Sequence, residues 1–262
     1  MMSSMYSGIT GLNACTKRMA VIGDNIANVN TTAYKTSELS FESLINQSVG
    51  GYTGQEVGGG VLMGDLRYDW NQGTIQRTSN PYDLAIAGKG FFQVQDSATP
   101  PNQCYTRDGQ FSFKTDPASS TATTYYLMTD SGMYVKGKNG NISYDQNKYD
   151  SVTIDNNGVV SGVKNGTKTP IDTIQLVAVD DMSIMAKTNN NLYVKTTDAT
   201  LTPGDPGTSG LGSIETSSLE MSNVDIAKEF VNMITAQRAF SANSKVITTS
   251  DEILQELVNI KR

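Results

Sequence analysis

The sequence predicts an α+β protein in which helices from both chain ends pair while a β-rich body occupies the middle of the chain. Two observations carry this prediction. Apolar residues recur with helical spacing at each terminus, and turn dipeptides separate short β-type runs between them. We expect a terminal helical coiled-coil pair from residues 1–35 and 219–262, an irregular connector over 36–72, and a central antiparallel β-rich domain over 73–218.

The C-terminal stretch after Leu219 carries the longer helical pattern. Seven-residue steps pass only through apolar side chains, namely Ile226, Met233, Phe240, Ile247 and Leu254. A second line, Phe230, Gln237, Ser244, Asp251 and Val258, is apolar only at its ends. Alternating steps of four and three residues keep one stripe of a helix facing a partner. Since no Gly or Pro interrupts the stretch, we expect a helix from about Val224 to Ile260, roughly 55 Å long, which needs a partner helix.

The N-terminal stretch supplies that partner. The same stepping gives Met5, Leu12, Met19 and Ile26, with Met2 and Ile9 alongside. We expect this helix to begin near Ser3, a suitable N-cap, and to end near Asn28, where an Asn-rich run follows. An ordinary helical hairpin inside a globular domain is the alternative to a pair that joins neighbouring molecules.

Helical periodicity disappears between residues 36 and 72. Glycine clusters at 50–54 and 58–60 favour turns, which predicts irregular backbone. The apolar residues that follow, Val61, Leu62, Leu66, Tyr68 and Trp70, indicate an ordered connector, because a solvated linker contains few such residues.

Short β-type runs fill the middle of the chain. Leu84–Ile86 and Phe91–Val94 are expected to form a hairpin around the turn Gly88-Lys89-Gly90. Further strands are expected at Tyr125–Met128, Val152–Ile154, Val159–Val163, Ile174–Val179 and Leu192–Lys195. Hairpin turns are expected at Asn139-Gly140, Asn157-Gly158 and Asn165-Gly166. This spacing predicts an antiparallel sandwich or barrel-like body.

Composition argues against several classes of function. The chain has no histidine, which removes the commonest general base and the usual zinc ligands, so we expect no enzyme activity, no metal and no cofactor. A net charge of −6 without a basic stripe argues against nucleic acid as a partner. We expect no membrane insertion, since no apolar run approaches the length of a span, and no cleavable signal peptide. Cys15 and Cys104 are expected to be free thiols.

Three groups of residues resemble the bacterial flagellar rod and hook protein family. They are Ser7–Ala14 with Asp24–Lys35, Asp83–Val94 with Tyr105–Phe111, and Leu219–Asp225 with Phe230–Phe240. The first group is similar to the family pattern of a small-residue helix followed by N-x-A-N-x-x-T-x-G-[FY]-K. Ala33 departs from that pattern, which has Gly at this position and so tolerates a positive φ better.

The resemblance implies a structural subunit of the flagellar axial tube that leaves the cell through the type III export apparatus. The implied partners are further copies of the chain in a helical homopolymer, adjacent flagellar axial proteins and the export apparatus. The Ser7–Leu12 opening and the Glu252–Arg262 ending are most similar to hook subunits, whereas the length is closer to distal rod subunits. We therefore expect an extracellular hook subunit that transmits motor torque, with a distal rod subunit in the cell envelope or periplasm as the alternative. A monomeric β-rich surface binding protein is the remaining alternative.

The expected assembly interface lies on the two terminal helices. Its residues are Met5, Ile9, Leu12, Met19, Asn25, Ile26, Asn28, Ile226, Phe230, Met233, Phe240, Ile247, Leu254 and Val258. One helix pair would leave Val21, Ile22, Val231, Ile234 and Val246 uncovered. Packing between subunits would bury such side chains, each contributing about 1.5–3 kcal/mol.

Overall fold

The computed structural model describes residues 2–48, 56–96, 102–115, 123–179, 181–196, 201–208 and 210–260. The chain divides into two compact units. The helical unit contains Met1–Asn30, Lys35–Asn71 and Val224–Arg262, and the β unit contains Thr31–Tyr34 and Gln72–Asn223. The α+β fold class is therefore confirmed, while the three-part division of the sequence stays a prediction.

Two terminal helices form where the apolar spacing predicts them. Helix α1 spans Met2–Ala27 and helix α2 spans Ile226–Ile260. Asp225 caps α2, since its Oδ1 accepts the backbone N–H groups of Ala227 at 2.9 Å and Lys228 at 3.2 Å. This satisfies two of the amide groups that the first helical turn leaves unpaired.

The helical unit also contains a long hairpin where the glycine clusters predict an irregular connector. Strand β1 (Ser37–Ser48) pairs antiparallel with strand β2 (Glu56–Tyr68), from Ser37 opposite Tyr68 to Ser48 opposite Glu56. The expectation of irregular backbone over 36–72 is wrong because the glycines of β2 serve close packing. A Cβ on Gly60, whose φ is +113°, would lie 2.3 Å from Thr10 Oγ1 of α1. Residues 49–55, with the first glycine cluster, lie outside the described residues.

The β unit is built from short antiparallel strands. In chain order they are β3 Ile75–Arg77, β4 Leu84–Ala87, β5 Phe91–Gln95, β6 Gln103–Thr106, β7 Phe111–Thr115, β8 Thr124–Thr129, β9 Tyr134–Val135, β10 Ser143–Asp145, β11 Ser151–Ile154, β12 Val159–Lys164, β13 Thr167–Thr173, β14 Leu176–Ala178, β15 Met185–Lys187, β16 Leu192–Lys195, β17 Thr202–Gly204, β18 Ser213–Thr216 and β19 Ser218–Glu220. A short 3-10 helix, Met182–Ile184, precedes β15.

One large sheet organises most of these strands. Its path runs β10-β8-β9-β5-β6-β16-β15, with β7 paired to β8, and β14 paired to both β5 and β17. Within the described residues, β11-β12-β13 form a separate sheet, and β4-β18 and β3-β19 form two-stranded pairs. The core contains Leu84, Phe92, Phe111, Leu127, Ile174 and Leu176. The rings of Phe92 and Phe111 meet edge to face at 5.1 Å between centroids.

Two details of the predicted β topology are wrong. The segment Gly88-Lys89-Gly90 does not close a hairpin, because β4 pairs with β18 whereas β5 pairs with β6, β9 and β14. The φ angles of Gly88 and Gly90, +120° and +129°, instead let the chain pass from one sheet to another. The strand expected over Ile174–Val179 is confined to Leu176–Ala178, since Ile174 makes only an isolated bridge to Gly137.

A buried ion pair fixes strand β19 inside the β unit. Arg107 Nη1 lies 3.0 Å from Glu220 Oε2, with side-chain exposures of 5% and 0%. Arg107 Nη2 also donates to the Gly88 carbonyl, and Glu220 Oε1 accepts the Gly73 N–H at 3.0 Å. The guanidinium carbon stands 5.5 Å from the centre of the Phe91 ring. Both charges are thus hydrogen-bonded, as buried charges must be.

Ala33 has the left-handed backbone that its sequence context predicts. Its φ is +55°, and its N–H donates to the Glu220 carbonyl at 2.8 Å. Most residues with a side chain avoid this region, so Ala33 carries local strain that glycine would not.

Candidate assembly interface

Helices α1 and α2 pack antiparallel through small residues. A Cβ on Gly8 would lie 3.0 Å from Ile247 Cγ1, and one on Gly11 would lie 2.8 Å from Asn243 Nδ2. Farther along the pair, Asn25 of α1 meets Glu229 of α2. The small residues let the backbones approach closely in the first half of α1, so a larger side chain there would have to displace α2.

The other half of the pair is held by a buried polar cluster. Asn25 Nδ2 donates to the Ser37 carbonyl at 2.9 Å and to Glu229 Oε2 at 3.2 Å, and Asn25 Oδ1 accepts the Ser37 N–H at 3.0 Å. Asn232 Nδ2 donates to the other Glu229 carboxylate oxygen at 3.3 Å. The cluster joins α1, α2 and the start of β1, which locks the register of the three elements.

This seam differs from the predicted one by one position on α2. The buried line contains Glu229, Ala236 and Ser250, with Asn243 half-buried between them. Phe230 and Val258, on the predicted second line, are 51% and 68% exposed. Polar and small residues therefore face α1 together with Ile247 of the predicted apolar line, and a search for apolar heptads detects only part of such a seam.

The remaining predicted interface residues fall into two groups. Half-buried residues are Met5, Leu12, Met19, Ile26, Asn28, Met233, Ile247 and Leu254. Exposed residues, besides Phe230 and Val258, are Ile9, Ile226 and Phe240. Asn28 ends α1, because its Nδ2 donates to the carbonyl and the carboxylate of Asp24 at 2.8 and 3.0 Å. Whether these residues meet neighbouring subunits stays a prediction.

The outer surface of α2 carries several exposed apolar side chains among its polar ones. Val231, Ile234 and Val246 are exposed, as the sequence predicts, and Val231 is 63% exposed. The prediction is wrong for Ile22, which is only 4% exposed within the unit. Ile226, Phe230 and Ile234 recur at i, i+4 and i+8, and Val246, Ile253 and Ile260 recur at seven-residue steps. Groups of exposed apolar side chains of this kind are typical of interaction sites.

The hairpin adds a second apolar surface that sequence reasoning missed. Leu39 lies opposite Leu66 and Phe41 lies opposite Met63 across the two strands. Opposite residues of an antiparallel pair share a face, so these four side chains line one side of the hairpin. Phe41, Met63 and Leu66 are exposed. The alternating Leu39 and Phe41 and the apolar run Val61–Met63 carried the signal, which the neighbouring glycines concealed.

A cavity of about 180 Å³ opens in the helical unit between α1, the hairpin and the start of α2. Its charged lining includes Arg18, Arg67 and Lys228 together with Glu38 and Glu229. Burial, and secondarily the negative charge of Asp24, raises the pKa of Tyr68, which also lines the cavity. The lining has both signs of charge and no nucleophile–base pair, so its chemistry suits packing rather than catalysis.

We also searched the described residues for metal sites, reactive thiols and membrane-spanning helices. Within them, no cluster of three or more acidic or cysteine side chains could hold a metal ion. Cys15 and Cys104 are free thiols, and burial, followed by the charge of Asp96, raises the pKa of Cys104. Among the described helices, none combines the length and apolar character that crossing a bilayer requires.

Comparison with known protein families finds one match in each of three regions, and these regions overlap the three groups of residues that resemble the rod and hook family. Residues 5–35 match the family described as flagella basal body rod protein, and residues 85–162 match the flagellar hook protein FlgE/F/G D1 domain. Residues 215–260 match the flagellar basal body rod FlgEFG protein C-terminal family.

Relatives match along the whole chain. The chain is 37% identical to the flagellar basal-body rod protein FlgG of Bacillus subtilis, and the match covers 100% of both sequences. It is 35% identical to FlgG of Buchnera aphidicola subsp. Baizongia pistaciae, over 98% of this chain and 99% of that protein. It is 33% identical to FlgG of Caulobacter vibrioides, over 97% of each sequence.

Proposed function

Because the chain belongs to the flagellar basal-body rod protein family, whose members are structural proteins and not enzymes, we propose that it is a subunit of the distal rod. The similarity to rod proteins along the whole chain favours this alternative over the hook subunit that the terminal residues suggest. The proposal includes polymerisation with further copies and contacts with adjacent axial proteins. It also includes export through the type III apparatus and a location in the cell envelope.

The observation that carries the proposal is the exposed apolar surface of the helical unit. α2 faces α1 with polar and small residues and with Ile247, while Val231, Ile234 and Val246 remain exposed. A monomer gains nothing from this arrangement, since exposed apolar side chains contribute no burial energy. In an assembly of side-by-side helix pairs, each buried Val or Ile contributes about 1.5–3 kcal/mol. Contacts of this kind that do not close on themselves produce a helical tube.

Sedimentation velocity over a range of protein concentrations tests the assembly. We expect the parent chain to form larger species and Val231→Asp to raise the concentration at which they appear by at least about thirtyfold, which corresponds to about 2 kcal/mol per contact. Gln237→Asp is the matched control, because Gln237 is exposed on the same helix and the charge change is equal. If both variants assemble like the parent, the outer surface of α2 is not an interface.

Electron microscopy of basal bodies separates the rod from the hook. If the chain is a distal rod subunit, cells lacking it should have truncated rods. If it is a hook subunit, those cells should have complete rods without hooks. The second result would reject the rod proposal and retain the axial role.

A further inference from the structure

Three Asn-Gly dipeptides lie in the β unit, at 139–140, 157–158 and 165–166. Asparagine followed by glycine is chemically labile, because the glycine backbone nitrogen can attack the asparagine side-chain carbonyl without hindrance from a Cβ. Attack needs a mobile side-chain amide and a backbone N–H that is not held by another acceptor. The three dipeptides differ in both respects.

In the Asn165-Gly166 dipeptide, the reacting groups are exposed to solvent. It forms the two-residue turn between β12 and β13, with φ angles of +50° and +80° that match a type I′ turn. Both residues are exposed, and a Cβ placed on Gly166 would have no neighbour within 4 Å. In the described part of the chain, neither the Asn165 side-chain amide nor the Gly166 N–H makes a hydrogen bond, whereas the Asn165 backbone N–H donates to Asp150 Oδ2 at 3.3 Å.

In each of the other two dipeptides, a hydrogen bond restrains one of the reacting groups. Asn139 Nδ2 donates to Asp172 Oδ1 at 3.2 Å, and its backbone N–H lies 3.3 Å from both oxygens of the same carboxylate. At 157–158 it is the attacking nitrogen that is engaged, because the Gly158 N–H donates to the Asp155 carbonyl at 2.8 Å. Gly158 is also buried. Attack at either position requires a hydrogen bond to break first.

We propose that Asn165 is the site at which the folded protein deamidates, while the fold protects Asn139 and Asn157. The Gly166 nitrogen loses its proton and bonds to Asn165 Cγ, the Cγ–Nδ2 bond breaks, and ammonia leaves. Water then opens the resulting succinimide at either carbonyl to give aspartate or isoaspartate. The reaction is not a redox process, and water is its only other reactant.

Both products would disturb the turn. Each adds a negative charge next to Asp150, whose carboxylate already contacts the Asn165 backbone. Isoaspartate also inserts an extra carbon into the backbone of a turn that joins Lys164 directly to Thr167. The β11-β12-β13 sheet should therefore lose hydrogen-exchange protection nearest this turn.

Peptide mapping by mass spectrometry after incubation of the full chain at mildly alkaline pH tests the proposal. Lys138-Asn139-Gly140 and Lys164-Asn165-Gly166 have the same three residue types, so local sequence cannot explain a difference between them. In the folded protein, Asn165 should convert at least about fivefold faster than Asn139 or Asn157, the ratio that one retained hydrogen bond of about 1 kcal/mol produces. In concentrated urea the three rates should converge to within about twofold. Equal rates in the folded chain, or a faster rate at Asn139 or Asn157, would overturn the proposal.

Two variants give an independent answer. Asn165→Gly keeps a residue suited to the type I′ turn and removes the reactive amide, so the acidic species should disappear from ion-exchange chromatograms. Asp172→Ala releases the Asn139 amide and should accelerate its conversion about fivefold. Persistence of the acidic species in Asn165→Gly would place the reaction elsewhere.

Discussion

Removing one partner of the buried Arg107–Glu220 ion pair should destabilise the β unit severely. In Arg107→Met the Glu220 carboxylate, with no side-chain exposure, would keep the Gly73 N–H as a partner but lose the charge of Arg107. Breaking a buried ion pair by removing one partner costs about 3–5 kcal/mol. Whole domains are stable by about 5–15 kcal/mol, so the loss is a large fraction of the total.

Thermal unfolding of the β unit measures the effect. For a unit of this size each kcal/mol lowers Tm by about 2–4 °C, which predicts a fall of roughly 6–20 °C for Arg107→Met. Lys138→Met is the matched control. Lys138 also pairs with a carboxylate at 3.0 Å, that of Asp205, but the two side chains are 56% and 44% exposed. A solvated pair of this kind contributes about 0–1 kcal/mol, so Tm should hardly change.

The double variant Arg107→Met with Glu220→Gln distinguishes the cost of leaving one buried charge behind from the cost of losing the ion pair itself. Replacing both charges removes the buried carboxylate that Arg107 neutralises in the parent chain, so much of the lost stability should return. If Arg107→Met melts within about 2 °C of the parent, water must reach Glu220 and the buried-pair reasoning fails.

Three further predictions concern single positions. Ala33→Gly relieves the φ of +55° but removes a buried methyl group, so the change in unfolding free energy should stay within about 1 kcal/mol, whereas Ala33→Val should destabilise by more than about 1 kcal/mol in the same denaturant titration. Burial raises the pKa of Asp108, so its ionised form opposes folding at neutral pH, and Asp108→Asn should unfold at a higher urea concentration than the parent. That advantage should shrink as the pH falls through the raised pKa of Asp108 towards that of the unfolded chain, and an advantage independent of pH would contradict the assignment. Gly8→Leu should weaken the α1–α2 pair by about 1–3 kcal/mol, seen as lost helical circular dichroism, because Ile247 occupies the space; an unchanged spectrum and melting curve would contradict this.

Local periodicity was enough to predict the two helices and some of the strands of this fold. The heptad lines located both terminal helices, and short β-type runs located seven of the seventeen described strands of the β unit, namely β4, β5, β8, β11, β12, β14 and β16. The hairpin β1–β2 was missed, since glycine content argues against strands unless the packing of Gly60 against Thr10 is known. The partner of β4 is β18, far along the chain, and no local signal reports such a pairing.

The candidate interface was predictable only in part, because local patterns do not report which distant residues meet. Apolar spacing identified the helices that carry the exposed side chains but not the side by which they meet. Asn25, Ser37 and Glu229 form their buried cluster from three separate elements. The sequence placed Asn25 in the expected interface, but apolar spacing gave no signal for its partners Ser37 and Glu229. The contact between Arg107 and Glu220 spans 113 positions and likewise has no local signature.

The arrangement of polar and apolar residues in the helical unit departs from that of an ordinary helical hairpin. In a self-contained hairpin, the apolar stripe of each helix lies inside the pair and polar side chains lie outside. Here Gly8, Gly11 and Asn243 occupy the inside beside Ile247, while Val231 and Ile234 remain outside. These exposed apolar side chains are therefore left for contacts with other chains. A subunit stabilised in this way should be only weakly ordered in the helical unit when diluted, and should gain order together with its neighbours. Hydrogen exchange at falling protein concentration tests this directly, since protection of α1 and α2 that does not depend on concentration would identify a self-contained hairpin instead.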